Sequence, residues 1–367
     1  MTNKGTVLLG LSGGIDSAIS AYLLKEDGWN VIGATMSIYD GSIPIQNSAH
    51  SGCFGPNDAA NIEAAARIAS RLGIKHYCFN LANQYRQEVL NYFRSEYLAG
   101  HTPNPCIRCN QKIKFGFFMK QAQAEGIQFD YFATGHYANI EYDNQTRRYS
   151  LYRGTDSAKD QSYFLSYLTQ EQLSKILFPL GKFTKTEIKK LASSLGWDDL
   201  LIRSESQDFI AADSYSELFS KEDSIPGNFV DVNGRILGPH KGIIHYTIGQ
   251  RRGIGIGGGI PFYVLKIDAS KHEIILGRKE DLARISLIAD RINWISIAPP
   301  PAMTSLHVEV QIRQRHKAAP AVLHVLEDHR VKIVFDEPQI AITPGQFAAI
   351  YQKKLLLGAG VITNETP

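Results

Sequence analysis

Leu8-Leu9-Gly10-Leu11-Ser12-Gly13-Gly14-Ile15-Asp16-Ser17 is the stretch that decides the fold. The apolar run 6–11 that leads into it reads as a buried strand. It stops at Ser-Gly-Gly, and residues 15–25 then read as a helix. Two adjacent glycines let the backbone turn tightly and point several N–H groups into one small space. With Ser12, Ser17 and the positive end of the helix, those donors make an anion site. No Gly-Lys-Ser/Thr follows, so the loop is not a Walker loop. The plainer reading, a Gly-rich turn with no ligand, sits poorly with the strand–loop–helix context.

The pattern continues outward. Strands are expected at 6–11, 31–36, 75–80 and 131–134, with helices at 15–25, 57–72, 84–98 and 110–125. Pro56-Asn57-Asp58 starts the second helix, Ala65, Ile68 and Leu72 keep helical spacing, and Gly73 closes it. Strands alternating with helices predict an α/β fold with a doubly wound parallel sheet and ligand at the carboxyl ends of the strands. After about residue 205 the texture changes to short β-rich runs broken by Gly, Pro, Asn and Asp. Residues 230–236 suggest a hairpin with an Asn233-Gly234 turn. The runs 308–313, 321–325, 331–335, 347–351 and 355–362 suggest a small β-barrel. The expected organisation is a catalytic domain at 1–205, a middle module at 206–284 and a C-terminal β-barrel at 285–367.

Composition sets the outer bounds. The 367 residues, 44% hydrophobic and 20% charged, suit a soluble globular protein of two or three domains. No apolar run approaches the roughly 20 residues that span a bilayer. Met-Thr-Asn-Lys-Gly leads straight into a strand, so no signal peptide is expected and a cytoplasmic location is. A net charge of +3 does not imply nucleic acid, and RNA contact would need local basic strips. Four cysteines are too few for a disulfide scaffold.

Three of those cysteines point to chemistry. In Thr102-Pro103-Asn104-Pro105-Cys106-Ile107-Arg108-Cys109-Asn110, the prolines and Asn104 predict an extended loop that abuts a helix start. Thiolates are stabilised at such a start, and Arg108 and Lys112 add positive charge. The Cys-x-x-Cys spacing fits redox partners, metal ligands, a nucleophile with its neighbour, or two packed cysteines. Cys53, in the Ser51-Gly52-Cys53-Phe54-Gly55 loop, leaves the same sheet edge as the phosphate loop. Cys53, Cys106 and Cys109 suit an iron–sulfur cluster with one open iron, or a zinc site lacking one ligand. Cys78, among apolar residues on a strand, is expected to be an inert core thiol.

The Ser-Gly-Gly-Ile-Asp-Ser loop resembles the pyrophosphate loop of ATP pyrophosphatases, and nearly the whole chain resembles the tRNA-specific 2-thiouridylases of that superfamily. The resemblance rests on residues 10–17, the Thr-Pro-Asn-Pro loop, 133–137, 159–165, Glu205-Ser206-Gln207-Asp208, 249–253 and Pro344-Gly345-Gln346. It implies ATP-dependent replacement of O2 of the wobble uridine by sulfur, with ATP and Mg²⁺ as cofactors. Gly10, Leu11, Ser12, Gly13, Gly14, Ile15, Asp16, Ser17, Met36 and Gly135 would then bind ATP. Asn104, Pro105 and Cys106 would line the target base. His136, Lys159, Asp160, Gln161, Arg313, Gln314 and Gln346 would touch tRNA. Cys109 stands at the first catalytic cysteine, and Asp16 and Cys106 join it as candidate catalytic residues.

Two departures from the family pattern matter. Cys106 stands where the family usually has Asp. Glu205-Ser206-Gln207-Asp208 runs directly into Phe209-Ile210, without the Ile-Cys pair whose thiol carries the persulfide, and no cysteine follows Cys109. Sulfur must then arrive by another route. A 4Fe–4S cluster on Cys53, Cys106 and Cys109 is the expected route, and a persulfide on Cys106 or Cys109 is the alternative. Sulfide or a donor protein would supply the sulfur, and a monomer or weak dimer is expected.

Two basic strips fit a large RNA. One is Gln250-Arg251-Arg252, beside a Gly-rich run; the other is Arg313-Gln314-Arg315-His316-Lys317. Tyr246 and Tyr263 fit core packing better than base stacking. An ATP-dependent ligase on another substrate, and a non-catalytic tRNA-binding protein, are the competing readings.

Overall fold

The structure is a computed structural model and describes residues 4–45, 52–202, 208–212, 214–257, 259 and 261–365. Strand β1 (Thr6–Gly10) runs into α1 (Ile15–Glu26), then β2 (Asn30–Ser37), a short β3 (Gly52–Phe54), α2 (Asp58–Leu72) and β4 (His76–Asn80). Helix α3 (Ala82–Tyr85) continues through a π-helical turn, Arg86–Leu90, into α4 (Asn91–Leu98). Helix α5 (Pro105–Arg108) continues through a π-helical segment, Cys109–Phe117, into α6 (Phe118–Ala124). Next come β5 (Tyr131–Ala133), β6 (Ala138–Asp143), β7 (Arg148–Arg153), α7 (Gln170–Leu173), β8 (Ile176–Leu177), α8 (Lys185–Ser194), α9 (Asp198–Leu201) and β9 (Asp208–Ile210). The later strands are β10 (Gly227–Val230), β11 (Ile236–His240), β12 (Tyr263–Asp268), β13 (Glu273–Gly277), β14 (Ala283–Trp294), β15 (Ser305–Gln311), β16 (Ala319–Val325), β17 (Val331–Ile340), β18 (Phe347–Gln352) and β19 (Leu355–Ile362).

Side-chain alternation along β1 explains the first domain. Val7 and Leu9 join the core under α1, α2 and α8, while Leu8 joins the aromatic core formed by the helices between 82 and 124. Each fully buried side chain of this kind contributes roughly 1.5–3 kcal/mol. Both faces of the sheet are thereby covered, as a parallel sheet requires. The order is β4-β2-β1-β5-β8, all parallel. The chain first builds outward through β2 and β4, then returns to the other side of β1 at β5. The crevice beyond the carboxyl ends of β1 and β5 is therefore the switch point where ligands bind. Helix α2 ends as its sequence indicates, with Gly73 in the left-handed region at φ 62°.

Six strands, β14-β17-β16-β15-β18-β19, close into a barrel through the β14–β19 pair. Leu355 and Leu356 of β19 also pair with Tyr152 and Leu151 of β7, so the β6–β7 hairpin of the catalytic domain extends the barrel sheet. No strands are expected from the sequence at 138–153; the hairpin gains its partner only when the barrel is present. In the middle module, β10 and β11 form the expected hairpin. Its turn is wider than an Asn-Gly turn: the Asp231 carboxylate accepts the Asn233 and Arg235 N–H groups at 2.9 Å, closing a loop over 231–235. Among the described residues no helix is long and apolar enough to cross a membrane.

Candidate active site

The phosphate loop leaves β1 into the crevice. Gly13 has φ 78°, a conformation that favours glycine. Ser12 N–H donates to Ser17 Oγ at 3.2 Å, and the Ser17 hydroxyl donates to the Gly14 carbonyl at 2.9 Å. Gly14 occupies the N-cap of α1 and supplies no side-chain acceptor to its first turn. An uncapped helix start of this kind offers N–H donors and dipole to an anion. Across the switch point, Gly135 follows β5, and a Cβ there would stand 2.9 Å from the Asp16 carbonyl carbon. Only glycine lets the β5 turn come this close to α1. Met36, near the carboxyl end of β2, flanks the loop on the other side.

Asp16 is held from two directions. Lys185 Nζ donates to its two carboxylate oxygens at 2.7 and 2.8 Å, and the Tyr137 hydroxyl donates at 2.7 Å. The Lys185 side chain is only 8% exposed. Lys185 and Tyr137 are functional candidates that the sequence reading missed. A signal existed: Lys185 is the first residue of α8, where a cation opposes the helix dipole.

The cysteine site lies on the aromatic face. Asn104 caps α5, its side chain accepting from Ile107 N–H at 3.1 Å, and Pro105 takes the first helical position. The helix thus starts at Pro105, earlier than the expected 110, and Cys106 and Cys109 lie inside it one turn apart. The π-helical segment begins at Cys109, and such segments recur at functional sites. Cys53 sits on β3, whose partner is β9 in the register Gly52↔Asp208 and Phe54↔Ile210. Tyr85, fully buried and stacked on Phe54 at 5.5 Å, stands within electrostatic reach of Cys109, Cys53, Cys106 and Asp208. No sequence signal marked it.

Cys53 is exposed, whereas Cys106 and Cys109 are half-buried, and desolvation raises both of their thiols. It pushes the Cys109 thiol up to about 12, opposed by the Lys114 ammonium. It raises Cys106 well above the ordinary thiol value, and the charges of Cys53 and Cys109 raise it further. The expected thiolate stabilisation at the helix start is corrected here, because desolvation outweighs the helix end and the nearby cation. Cys78 is also corrected: it is exposed, because β4 is an edge strand of the sheet. Among the described residues, no three His, Cys, Asp or Glu side chains are grouped to hold a single metal ion.

Comparison with known proteins decides the family. The model described as tRNA methyl transferase HUP domain matches residues 5–211. The models of its PRC-barrel domain and of an aminomethyltransferase beta-barrel domain match 219–278 and 284–362. The chain is 44% identical to the tRNA-specific 2-thiouridylase MnmA of Endomicrobium trichonymphae over 99% of this chain and 100% of that one. It is 43% identical to MnmA 1 of Thermoanaerobacter pseudethanolicus over 100% of both. This chain belongs to the tRNA-specific 2-thiouridylase family. Membership makes it a tRNA-uridine 2-sulfurtransferase. Among solved structures, a 4-thiouridine synthetase–RNA complex with bound ATP matches at 17% identity and TM-score 0.31, covering 58% of this chain and 48% of that one.

Within the family frame, the second cysteine would fall between Asp208 and Phe209 on β9, next to Cys53 on β3. Glu205, Ser206 and Gln207 lie outside the described residues, as do Ser51 and Gly258. The residues expected at tRNA divide into two groups. Arg251, Arg252, Gln314 and Arg315 are exposed, and Lys159 and Arg313 are half-buried. Arg313 donates to the Ile340 and Ala341 carbonyls, and the other four also have inward partners. His136 is buried between Phe115 and Phe178, bonded to Thr134 Oγ1 at 2.7 Å, and burial holds its pKa well down. Asp160 accepts from Arg153, Gly154 N–H and Ser162, and Arg153 stacks 3.6 Å above the Tyr351 ring of the barrel. Gln161 Oε1 accepts from Tyr137 N–H at 2.9 Å. Gln346 donates to the Thr102 and Pro103 carbonyls. Tyr246 is buried in the middle-module core, as its sequence context indicates.

Proposed function

We propose that this chain thiolates the wobble uridine of tRNA at C2, with ATP bound at residues 10–17 and sulfur delivered at Cys53, Cys106 and Cys109. Uridine O2 attacks the α-phosphorus of ATP, the α–β bridge breaks, and pyrophosphate leaves. Loop N–H groups neutralise the charge on that leaving group, and a bound Mg²⁺ would add to that neutralisation. Lys185 and Tyr137 orient Asp16 beside it. Hydrosulfide then attacks C2, its proton passes to solvent, the C2–O2 bond breaks, and O2 leaves as part of AMP. Asn104 and Pro105 shape the base pocket beside Cys106. The first 205 residues supply this chemistry, and the middle module and barrel hold tRNA, with Arg251, Arg252, Arg313 and Gln314 on phosphate. The reaction belongs to the cytoplasm.

The observation that carries the cluster reading is the position of Cys53 on β3, paired with the strand where the family's second cysteine is missing. Cys53, Cys106 and Cys109 would hold a 4Fe–4S cluster, whose open iron supplies a site for sulfur. The test is iron and sulfide content, with the visible spectrum, of protein purified without oxygen. About four irons per chain, lost in Cys53→Ala together with thiolation, are expected. An iron-free protein that thiolates with a persulfide donor would instead assign the sulfur to Cys106 or Cys109. Full turnover of Cys53→Ala with sulfide would overturn the cluster.

A further inference from the structure

The Thr-Pro-Asn-Pro segment cannot hold itself in place. Pro103 and Pro105 have no N–H, so the segment offers its neighbours mainly carbonyl groups. The barrel meets that need. Gln346 Nε2 donates to the Thr102 carbonyl at 3.0 Å and to the Pro103 carbonyl at 3.2 Å. Thr102 N–H returns a bond to the Pro344 carbonyl at 2.8 Å. Gly345, at φ 88°, lies so close that a Cβ would stand 3.0 Å from His101 Cβ and 3.1 Å from the Thr102 backbone. The turn is itself tied to β19, because Gly345 N–H donates to the Ile362 carbonyl and Ile362 N–H donates to the Gln346 carbonyl. Tyr163, buried, donates to Gln346 Oε1 at 3.4 Å.

Only Asn104 separates this clamp from the cysteine helix, and Asn104 is the N-cap of that helix. A displacement of the Pro103 carbonyl therefore reaches the start of the helix that carries Cys106 and Cys109, with one residue to absorb it. We propose that Gln346 is a positioning residue: it fixes the Cys106–Cys109 helix start through the Thr102 and Pro103 carbonyls. The C-terminal barrel thereby sets the geometry of the thiols in the catalytic domain. The proposal rests on the reading that these thiols serve tRNA thiolation.

The experiment compares wild type, Gln346→Ala, Gln346→Glu and Gly345→Ala as full-length protein. Gln346→Glu keeps the size but sets a carboxylate with no donor against two carbonyls. Three quantities are measured: the single-turnover thiolation rate at saturating tRNA, the Kd for tRNA, and iodoacetamide alkylation of Cys106 and Cys109 in metal-free protein without tRNA or ATP. A misplaced reacting group costs on the order of 10²-fold in rate. The expected result is a saturated rate at least tenfold lower and alkylation several-fold faster in each variant, whatever the change in Kd. A tenfold weaker Kd with an unchanged saturated rate and unchanged alkylation would overturn the proposal and make Gln346 a direct RNA contact. Unchanged alkylation with a slower rate would also overturn it. If wild type fails to thiolate tRNA while alkylation still rises in the variants, the clamp stands and the functional reading falls.

Discussion

The phosphate loop and the cysteine site share one domain but are built in different ways. The loop is nearly self-sufficient: Ser12, Gly14 and Ser17 bond among themselves at the end of one strand and the start of one helix. The cysteine site is assembled from distant chain segments. Cys106 and Cys109 come from α5 and the segment after it, Cys53 from β3, its neighbour strand from β9, and the clamp from the barrel turn at 344–346. An anion site needs contiguous N–H groups, which a short motif can encode. A thiol site needs burial and several converging groups, which only tertiary packing provides. The departures from the family pattern fall in the assembled site and leave the loop untouched.

The largest expected effect separates the two regions outright. Cys109→Ala should abolish thiolation while pyrophosphate is still released from ATP in the presence of tRNA. Loss of pyrophosphate release in that variant would mean that the regions are not separable. Next in size is Lys185→Met, which leaves the Asp16 carboxylate beside the loop without its cation. Removing one preorganised electrostatic partner typically costs about 10²–10³-fold, so pyrophosphate release and thiolation should fall together by that much. A fall in thiolation alone would place Lys185 with the thiols instead.

A smaller effect reads the thiols directly. Cys109 is neutral at pH 7, because burial lifts its pKa to about 12. Its alkylation in metal-free protein should rise about tenfold per pH unit between pH 8 and 11, without a plateau, since only the thiolate reacts. A plateau near pH 9 would show that the site is wetter than its burial indicates. The smallest effect belongs to Cys78→Ser, on the exposed edge strand. It should change thiolation by less than twofold and stability by less than about 0.5 kcal/mol, checked by turnover and thermal melting.

The sheet, α1, α2 and the barrel were legible because each follows from local periodicity and turn chemistry. Gly73 closes α2 where expected, and the C-terminal runs close into a barrel. The helix carrying the cysteines was misjudged at its start, because Pro103 and Pro105 read as a loop while Pro105 in fact takes the first helical position under the Asn104 cap. The β6–β7 hairpin went unread because its partner, β19, lies some 200 residues later. Lys185 and Tyr85 escaped because neither belongs to a motif; each matters through what it meets in space.

Residue identity alone shows the Ser-Gly-Gly-Ile-Asp-Ser loop between a strand and a helix, the Cys-x-x-Cys pair after Thr-Pro-Asn-Pro, and the absence of any cysteine after Cys109. These are matters of residue identity and local backbone, and no distant contact alters them. Packing sets the rest: desolvation raises the Cys106 and Cys109 thiols, Lys185 and Tyr137 hold Asp16, and Gln346 faces the cysteine loop. Desolvation and ion pairing depend on which groups surround an atom, and those groups come from segments scattered along the chain.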